Sequence, residues 1–373
     1  LDVYSLESIF SQAGGFPFGT LAGFSAENRI NNPTIRPEVV KSTEIGAEFG
    51  LFKNKVLFDI AYYFQNNNDQ VVPIQISSST GYTSALLNAA EFNNRGLEVD
   101  LKLLPLIEAG GFRWEMSANY TYNTSEVISI YEGLNELLVG NTSYVIKGYP
   151  AYTHKLVDWE RTPEGKVIID PVSGYPKQAT TSKIFGNTNP NHIFGVNSDL
   201  TYKAFNLRIV AEYRGGNYIF NDIGRSTDFT GVTALSATNG RQRFVFPNSV
   251  YTTDGGTTYV ENTDIAVNNA HYAFLQDGRF RNTQTNYYSS AAFWKLREVA
   301  LTYSVSKKLL GGGKFISRAT VSLVGRNLLM LRPKTNQWTD PEFANTTGND
   351  IGTTTVGQTP PTRIMGFNVN LTF

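Results

Sequence analysis

Only three side chains in the 373 residues, those of His154, His192 and His271, have an ordinary pKa near neutrality. A metal centre would need two or three further ligands at coordinating spacing, and hydrolytic chemistry would need a nucleophile, a base and an orienting acid close together. Each histidine stands alone in or beside a long irregular stretch, so neither arrangement can be argued. The chain has no cysteine, which excludes disulfides, thiolate metal sites and a cysteine nucleophile. The run Gly311-Gly312-Gly313-Lys314-Phe315 lacks the Gly-x4-Gly-Lys-Ser/Thr spacing and the following helix of a phosphate loop, and reads as a flexible turn. Asn123, Asn141, Asn345 and Asn370 head Asn-x-Ser/Thr triplets, which a chain rich in Asn and Thr produces by chance. The expectation is a protein without catalytic residues, resident metal or cofactor.

What remains is charge and aromatic surface. Lys plus Arg equals Asp plus Glu at 32 each, which leaves no global field for nucleic acid. Charged residues make up only 17% of the chain against about a quarter in ordinary domains, while 20 Tyr and 24 Phe lift the aromatic share to 13%. The charges that bear on function are Glu44, Glu48, Asp59, Glu98, Asp100, Lys102, Arg113, Glu115, Asp199, Arg208, Glu212, Glu298 and Arg326, each on the polar side of an alternating segment. The aromatics outside such segments are Tyr131, Tyr144, Tyr149, Trp159, Tyr218, Phe220, Phe244, Phe246, Tyr272, Phe274 and Trp338. Flat rings suit sugar faces or apolar peptide side chains, so these eleven are the candidate ligand contacts. The competing reading has them packing the loops together or meeting a covering partner.

The segments that carry these side chains alternate with a period of two, the mark of strands with unlike faces. Ile45, Ala47, Phe49 and Leu51 alternate with Glu44, Gly46, Glu48 and Gly50. The final segment sets Phe367, Val369, Leu371 and Phe373 against Asn368, Asn370 and Thr372. Seven further segments, centred near residues 60, 100, 117, 198, 209, 301 and 322, repeat the pattern. Nine strands of roughly ten residues each have the length a tilted strand needs to cross a bilayer.

The links between strands alternate too. They are short near 53–55, 105–111, 203–204 and 307–316, and long at 66–91, 124–190, 217–291 and 328–362. Short turns at one end and long loops at the other are the arrangement of an outer-membrane barrel, with the long loops outside and Phe373 at the periplasmic rim. Tyr120, Tyr122, Tyr202 and Tyr213 at strand ends would form its interfacial girdles. On the lipid side, Lys or Arg would cost about 2–4 kcal/mol at mid-bilayer, so the thirteen charges must face the lumen, where mixed signs suggest a cross-strand network. A soluble β-sandwich also alternates, but lacks lopsided links and aromatic girdles. No run approaches the roughly 18 apolar residues of a spanning helix. Nine strands alone would leave two open edges in lipid, so the nine are expected to be part of a larger barrel.

Several stretches taken together resemble the SusC/RagA group of TonB-dependent transporters. They are "NNPTIRPEVVKSTEIGAEFGLFKNKVLFDIAYYFQNNNDQVV", "FNNRGLEVDLKLL", "NPNHIFGVNSDLTYKAFNLRIVAEYRGG", "SSAAFWKLREVALTYSVSKKLL", "VSLVGRNLLMLRPKTNQWTDPE" and the ending "PPTRIMGFNVNLTF". The resemblance runs from about residue 30 to the end, in the family's order. It implies an all-β fold, a transmembrane antiparallel β-barrel of 22 strands with a plugged lumen, of which this chain holds the C-terminal nine. Residues 1–40 would be an extracellular loop segment entering the barrel, residues 41–373 the barrel strands and surface loops, and the plug domain and TonB box would lie outside the chain. The resemblance further implies residence in the Gram-negative outer membrane and import of an oligosaccharide or peptide. The expected partners are a SusD-like surface lipoprotein and, through the N-terminal region, the TonB complex, with a dimer of transporter–lipoprotein pairs left open. Phe373 resembles the aromatic signal read by the barrel-assembly machinery. A passive porin, or a structural or docking barrel in a larger complex, is the alternative.

Overall fold

The computed structural model describes residues 6–131, 133–256, 258–311, 315–345, 348 and 350–373. Its frame is one antiparallel sheet of nine strands in chain order: β1 (Val39–Leu51), β2 (Val56–Gln75), β3 (Ser84–Ala109), β4 (Phe112–Ile130), β5 (His192–Tyr202), β6 (Phe205–Gly215), β7 (Phe293–Ser304), β8 (Arg318–Leu331) and β9 (Ile364–Thr372). Within this frame each strand pairs with its sequence neighbours, as in a barrel wall. The sheet is not closed on itself, since β1 and β9 end the strand order. No helix among the described residues is long and apolar enough to cross a membrane.

Register turns the alternation into two surfaces. Directly opposed residues run Phe49, Phe58, Leu101, Ala118, Val196, Ala211 and Leu296 across seven strands. One residue along, the row reads Glu48, Asp59, Asp100, Asn119, Gly195, Glu212 and Lys295. A one-residue slip would carry every charge of the second row onto the lipid side. The first row and its neighbours form the apolar outer face. Aromatic residues close that face at both ends: Tyr202, Phe205 and Tyr303 near the short turns, and Tyr122, Tyr213 and Trp294 near the long loops. Phe112 and Tyr122 are ten residues apart on β4; at ~3.3 Å per residue and a tilt near 40°, that is about 25 Å of membrane depth, the height of the apolar band of such barrels.

Three of the short turns lie near 53–55, 203–204 and 307–316 as expected, while the 105–111 link is tighter, because β3 runs on to Ala109 and reverses at Gly110–Gly111. The 311–315 segment falls within one of them, although Gly312, Gly313 and Lys314 are outside the described residues. The 66–91 link differs from its expected form as a loop. Strands β2 and β3 continue through it as a paired hairpin that reverses at a 3-10 turn, Ser78–Thr80, beyond the membrane band. Its Asn-rich start, residues 66–69, which looks like a loop in sequence, is accommodated by a β-bulge, with Asp69 at φ 54°. Strand β4 likewise runs to Ile130, so that long link begins later than 124. Residues 6–40 carry a small hairpin, Phe10–Gln12 with Phe24–Ala26, and a parallel pairing of Arg29–Ile30 with Ser84–Ala85 on the projecting part of β3.

The long links 131–191, 216–292 and 332–363 fold together into a layer with its own core. Three helices, α1 (Asp222–Thr230), α2 (His271–Gln276) and α3 (Gly278–Asn282), pack there with Leu156, Val167, Phe220, Val267, Phe274 and Tyr287. A short parallel pairing of Val167–Ile168 with Ser249–Val250 joins two of the links.

Candidate functional site at the luminal rim

The charged side chains of most consequence sit where the loop layer meets the sheet. Between Leu296 and Glu298, strand β7 carries a β-bulge with Arg297 as the extra residue. Lys295 and Glu298 both belong to luminal rows, opposite Glu212 and Val210. From the incoming loop 332–363, Asp340 opens a 3-10 turn, Pro341–Phe343, and accepts from the Glu342 amide at 3.0 Å. A Pro directly after an Asx cap is pre-set for such a turn.

These residues form one ionic cluster. Lys295 Nζ donates to Asp340 at 2.5 Å and also to Glu342. Arg297 donates through Nη1 to Glu342 at 2.7 Å and through Nε to Glu212 at 2.7 Å. Arg214 pairs with Glu212 and lies 3.5 Å from Glu342. Three cations thus meet three carboxylates. The Lys295 and Asp340 side chains are only 4% and 3% exposed, so the cluster stands largely out of water, where unpaired charge would be very costly. Burial alone would raise the Glu342 carboxyl; hydrogen bonds from Arg297 and Lys295 overcome it and hold the group at about 2.

The cluster pins loop 332–363 to the luminal side of β6 and β7. The rest of the loop is stitched to its neighbours: Phe220 and Thr354 exchange backbone hydrogen bonds with Gly352 and Phe220, at 2.8 and 3.0 Å, and Ser143 Oγ donates to Ile351 O at 3.1 Å. Under the loop lies a cavity of about 290 Å³, walled by Thr188, Asn189, Arg214, Asn217, Tyr218, Phe293, Glu342 and Asn345. The Thr188 hydroxyl and the Asn217 carbonyl are buried without partners. Hydrogen-bonding groups of both kinds and two aromatic rings suit a polar, uncharged solute.

All thirteen charges singled out in sequence share one face of the sheet by register. Among the described residues they pair only in part. Arg113 pairs with Glu115, Arg326 with Glu298, and Glu212 joins the cluster. Asp199 accepts from Asn206 at 2.9 Å. Among the described residues, no ion pair reaches Glu44, Glu48, Asp59, Glu98, Asp100, Lys102 or Arg208. For Glu48, Asp59 and Asp100 the reason is register, since they stand opposite one another, like against like, whereas Arg208 stands opposite Asp199 without an ion pair forming.

The eleven aromatic candidates also divide. Trp159, Phe220 and Phe274, expected as ligand contacts, are instead buried in the loop-layer core and have no face left for a solute. Phe244 and Phe246 pack on that core edge-on to Phe274, at 5.3 and 6.0 Å between centroids. Tyr144 lies under the Lys155 ammonium, 5.4 Å from it. Tyr131, Tyr149, Tyr218 and Tyr272 are exposed, and Trp338 is half-buried. Phe373 lies at the short-turn end with its ring 5.4 Å from that of Phe315.

The histidines have structural surroundings. His192 accepts or donates through Nδ1 to the Tyr120 hydroxyl at 2.8 Å at the outer girdle. His154 is fully buried, bonded to Thr142 Oγ1 at 3.0 Å, and burial depresses its pKa to about 4. His271 meets Phe244 edge-on at 4.8 Å. No group of three metal-ligating side chains occurs among the described residues. Arg214, Lys295, Arg297, Asp340 and Glu342 are the site residues that the sequence reading missed.

A family model described as TonB dependent receptor-like, beta-barrel matches residues 5–167. TonB-dependent receptor P26 of Formosa agariphila is 24% identical over 92% of this chain and 36% of its own length. TonB-dependent receptor SusC of Bacteroides thetaiotaomicron is 21% identical over 67% of this chain and 25% of its own. Among solved structures, the RagAB peptide transporter superposes with a TM-score of 0.73 at 19% identity, covering 100% of this chain and 39% of that one. At that identity the superposition speaks for the fold. The chain spans about a third or less of the length of these relatives. In sequence over most of its length, and in fold, the chain is similar to the SusC/RagA-like TonB-dependent receptors, which are proteins of the Gram-negative outer membrane.

Proposed function

We propose that this chain supplies part of the wall and of the extracellular loop layer of a TonB-dependent importer. The importer passes an oligosaccharide or a peptide into the periplasm together with a SusD-like surface lipoprotein. The observation that carries this reading is the ionic cluster at the rim. It anchors loop 332–363 against the luminal side of β6 and β7 over a polar cavity, an arrangement suited to selecting a solute rather than to free diffusion. The exposed rings of Tyr131, Tyr149, Tyr218 and Tyr272 are then contacts for solute or lipoprotein, and Phe373 serves as the assembly signal. Nothing in this reading involves bond chemistry; the work is binding, gating and passage.

The test is deletion of the full-length gene, followed by growth on oligosaccharides and on peptides as sole carbon source, with and without an intact TonB. Loss of growth on one class, restored by the gene and dependent on TonB, is expected. Uptake that persists without TonB would indicate a passive porin. No growth defect, with other envelope proteins copurifying in fixed ratio, would indicate a docking barrel.

A further inference from the structure

The two ends of the sheet differ in charge. Taken as the residues between consecutive strands, the four short links are 52–55, 110–111, 203–204 and 305–317. Their sequences, FKNK, GG, KA and VSKKLLGGGKFIS, hold six lysines and no carboxylate, in a chain whose 32 cations balance 32 carboxylates. Lys53, Lys55, Lys203, Lys307 and Lys308 lie among the described residues, and all five are exposed. Among the described residues none of them forms an ion pair. Glu108, the carboxylate nearest a short link in sequence, lies 3.8 Å from Arg113 instead. The loop layer is the contrast, for there Arg161 pairs with Asp158, Lys166 with Glu261 and Arg279 with Asp277.

The links form one continuous rim. Leu104 N donates to Lys55 O at 2.7 Å, Lys203 N to Gly111 O at 3.1 Å and Ser304 N to Ala204 O at 2.8 Å, so each link is tied to the strand end or link beside it. Apolar side chains stand between the lysines: Phe52 is 76% exposed, Leu309 72% and Phe315 77%. The Lys203 ammonium lies 5.1 Å from the centre of the Tyr202 ring, which belongs to the lipid-side girdle. An ammonium laid over a girdle ring sits where a snorkelling lysine meets the headgroup level.

The backbone gives an independent sign that these side chains are selected. Phe52, Lys53 and Lys203 have φ of 52°, 58° and 54°, in the left-handed region where glycine or asparagine would sit more easily. Making the turns therefore does not account for a phenylalanine and two lysines there; their side chains act beyond the turns. Exposed lysines alone would suit any polyanion. Lysines set among exposed apolar side chains, in continuity with a lipid-facing wall, suit a bilayer surface that is itself anionic.

We propose that the short-turn rim binds anionic phospholipid headgroups of the periplasmic leaflet. Lys203, Lys307 and Lys308, which the Ser304–Ala204 bond brings to one stretch of the rim, meet the phosphates, while Phe52, Leu309 and Phe315 seat at the acyl boundary. The contact fixes the depth of the barrel in the membrane and is independent of the solute that passes through it.

The experiment uses the full-length protein in mild detergent, with phosphatidylglycerol and phosphatidylcholine of identical acyl chains as probes and native mass spectrometry as the readout of bound lipid. A lysine close to an anionic surface changes association by about fivefold, so two acting on one headgroup should give phosphatidylglycerol a preference of at least about tenfold. Combining Lys203→Gln, Lys307→Gln and Lys308→Gln should reduce the preference below about threefold, whereas the three Lys→Arg changes should keep it. Lys147→Gln, in the loop layer, should leave it unchanged. If the triple glutamine variant does not fold, judged by its heat-modifiable gel mobility, Lys203→Gln alone should lower the preference about fivefold. Equal association of the two lipids would overturn the proposal, as would a preference that survives the glutamine changes. Retention on purified peptidoglycan through the same lysines, without a lipid preference, would assign the rim to the cell wall and overturn it too.

Discussion

Replacing Lys295 by Met tests whether the rim cluster holds loop 332–363 in place. Methionine nearly matches the aliphatic length of Lys, so little cavity opens, but two charge-assisted hydrogen bonds vanish, to Asp340 and to Glu342. The cluster falls from three cations against three carboxylates to two against three. Asp340 keeps its bond from the Glu342 amide, and Glu342 keeps Arg297. Hydrogen bonds to charged groups contribute about 1.5–3 kcal/mol each, and breaking a buried pair typically costs about 3–5 kcal/mol. Taking the lower figure, about 3 kcal/mol, local opening of the loop should become about a hundredfold more frequent. Hydrogen exchange on the intact protein reads this directly: amides in 336–354 lose about two orders of magnitude of protection, while β1–β4 keep theirs. Lys295→Arg should retain most of the protection. Less than a threefold change in 336–354, or loss spread evenly over the sheet, would refute the cluster as a loop anchor.

Four further outcomes follow from the loop layer. His154 is neutral when buried, with its pKa lowered from 6.5 to about 4, so the layer should lose stability as pH falls from 6.5 towards 4; Asn at 154 should abolish this limb in a pH series of exchange measurements. Glu342, depressed from 4.5 to about 2, adds stability that is complete above pH 4.5 and fades as pH falls towards 2, a second limb that Glu342→Gln should remove. Gly224→Ala forces Trp338 and Tyr287 aside and should destabilise the layer by about 1–3 kcal/mol, visible as faster proteolysis of residues 217–291. Phe220→Ala, at a fully buried position, should cost the layer about 3–5 kcal/mol yet leave the heat-modifiable gel mobility of the barrel unchanged.

The nine strands could be read from sequence because a wall between lipid and water imposes the same period of two on every strand, and nine repeats of a weak pattern reinforce one another. The loop layer could not, because rings such as Phe220 and Phe274 lie in irregular backbone, where no period separates a core side chain from a ligand contact. The rim cluster escaped for a specific reason. Counting back by twos from Val299 puts Arg297 and Lys295 on the lipid face, and only the bulge at 297 brings them inward. The signal was nonetheless present. Two cations on the lipid side would cost about 2–4 kcal/mol each if deep in the bilayer, so a strand whose strict alternation places them there must break it. Asp340 was similarly marked by the Pro that follows it, the sequence sign of a capped turn.

The first strands pose the opposite electrostatic case from the rim. Glu48, Asp59 and Asp100 stand side by side in one luminal row, with Lys102 two residues along the same face of β3 but in ion-pair contact with none of them among the described residues. They border a groove of about 560 Å³. Directly opposed like charges destabilise a sheet by roughly 0.2–1 kcal/mol per pair, and Asp59 has such a neighbour on both sides. If the row faces only water, Asp59→Asn relieves both repulsions at once and should stabilise the barrel by about 1 kcal/mol, less at high salt. Asp100→Asn, which has Asn119 on its other side, should gain about half as much. Denaturant titration of the intact protein decides the matter. A loss of stability in Asp59→Asn would instead require a basic group, supplied from beyond these nine strands, seated in the groove against that row.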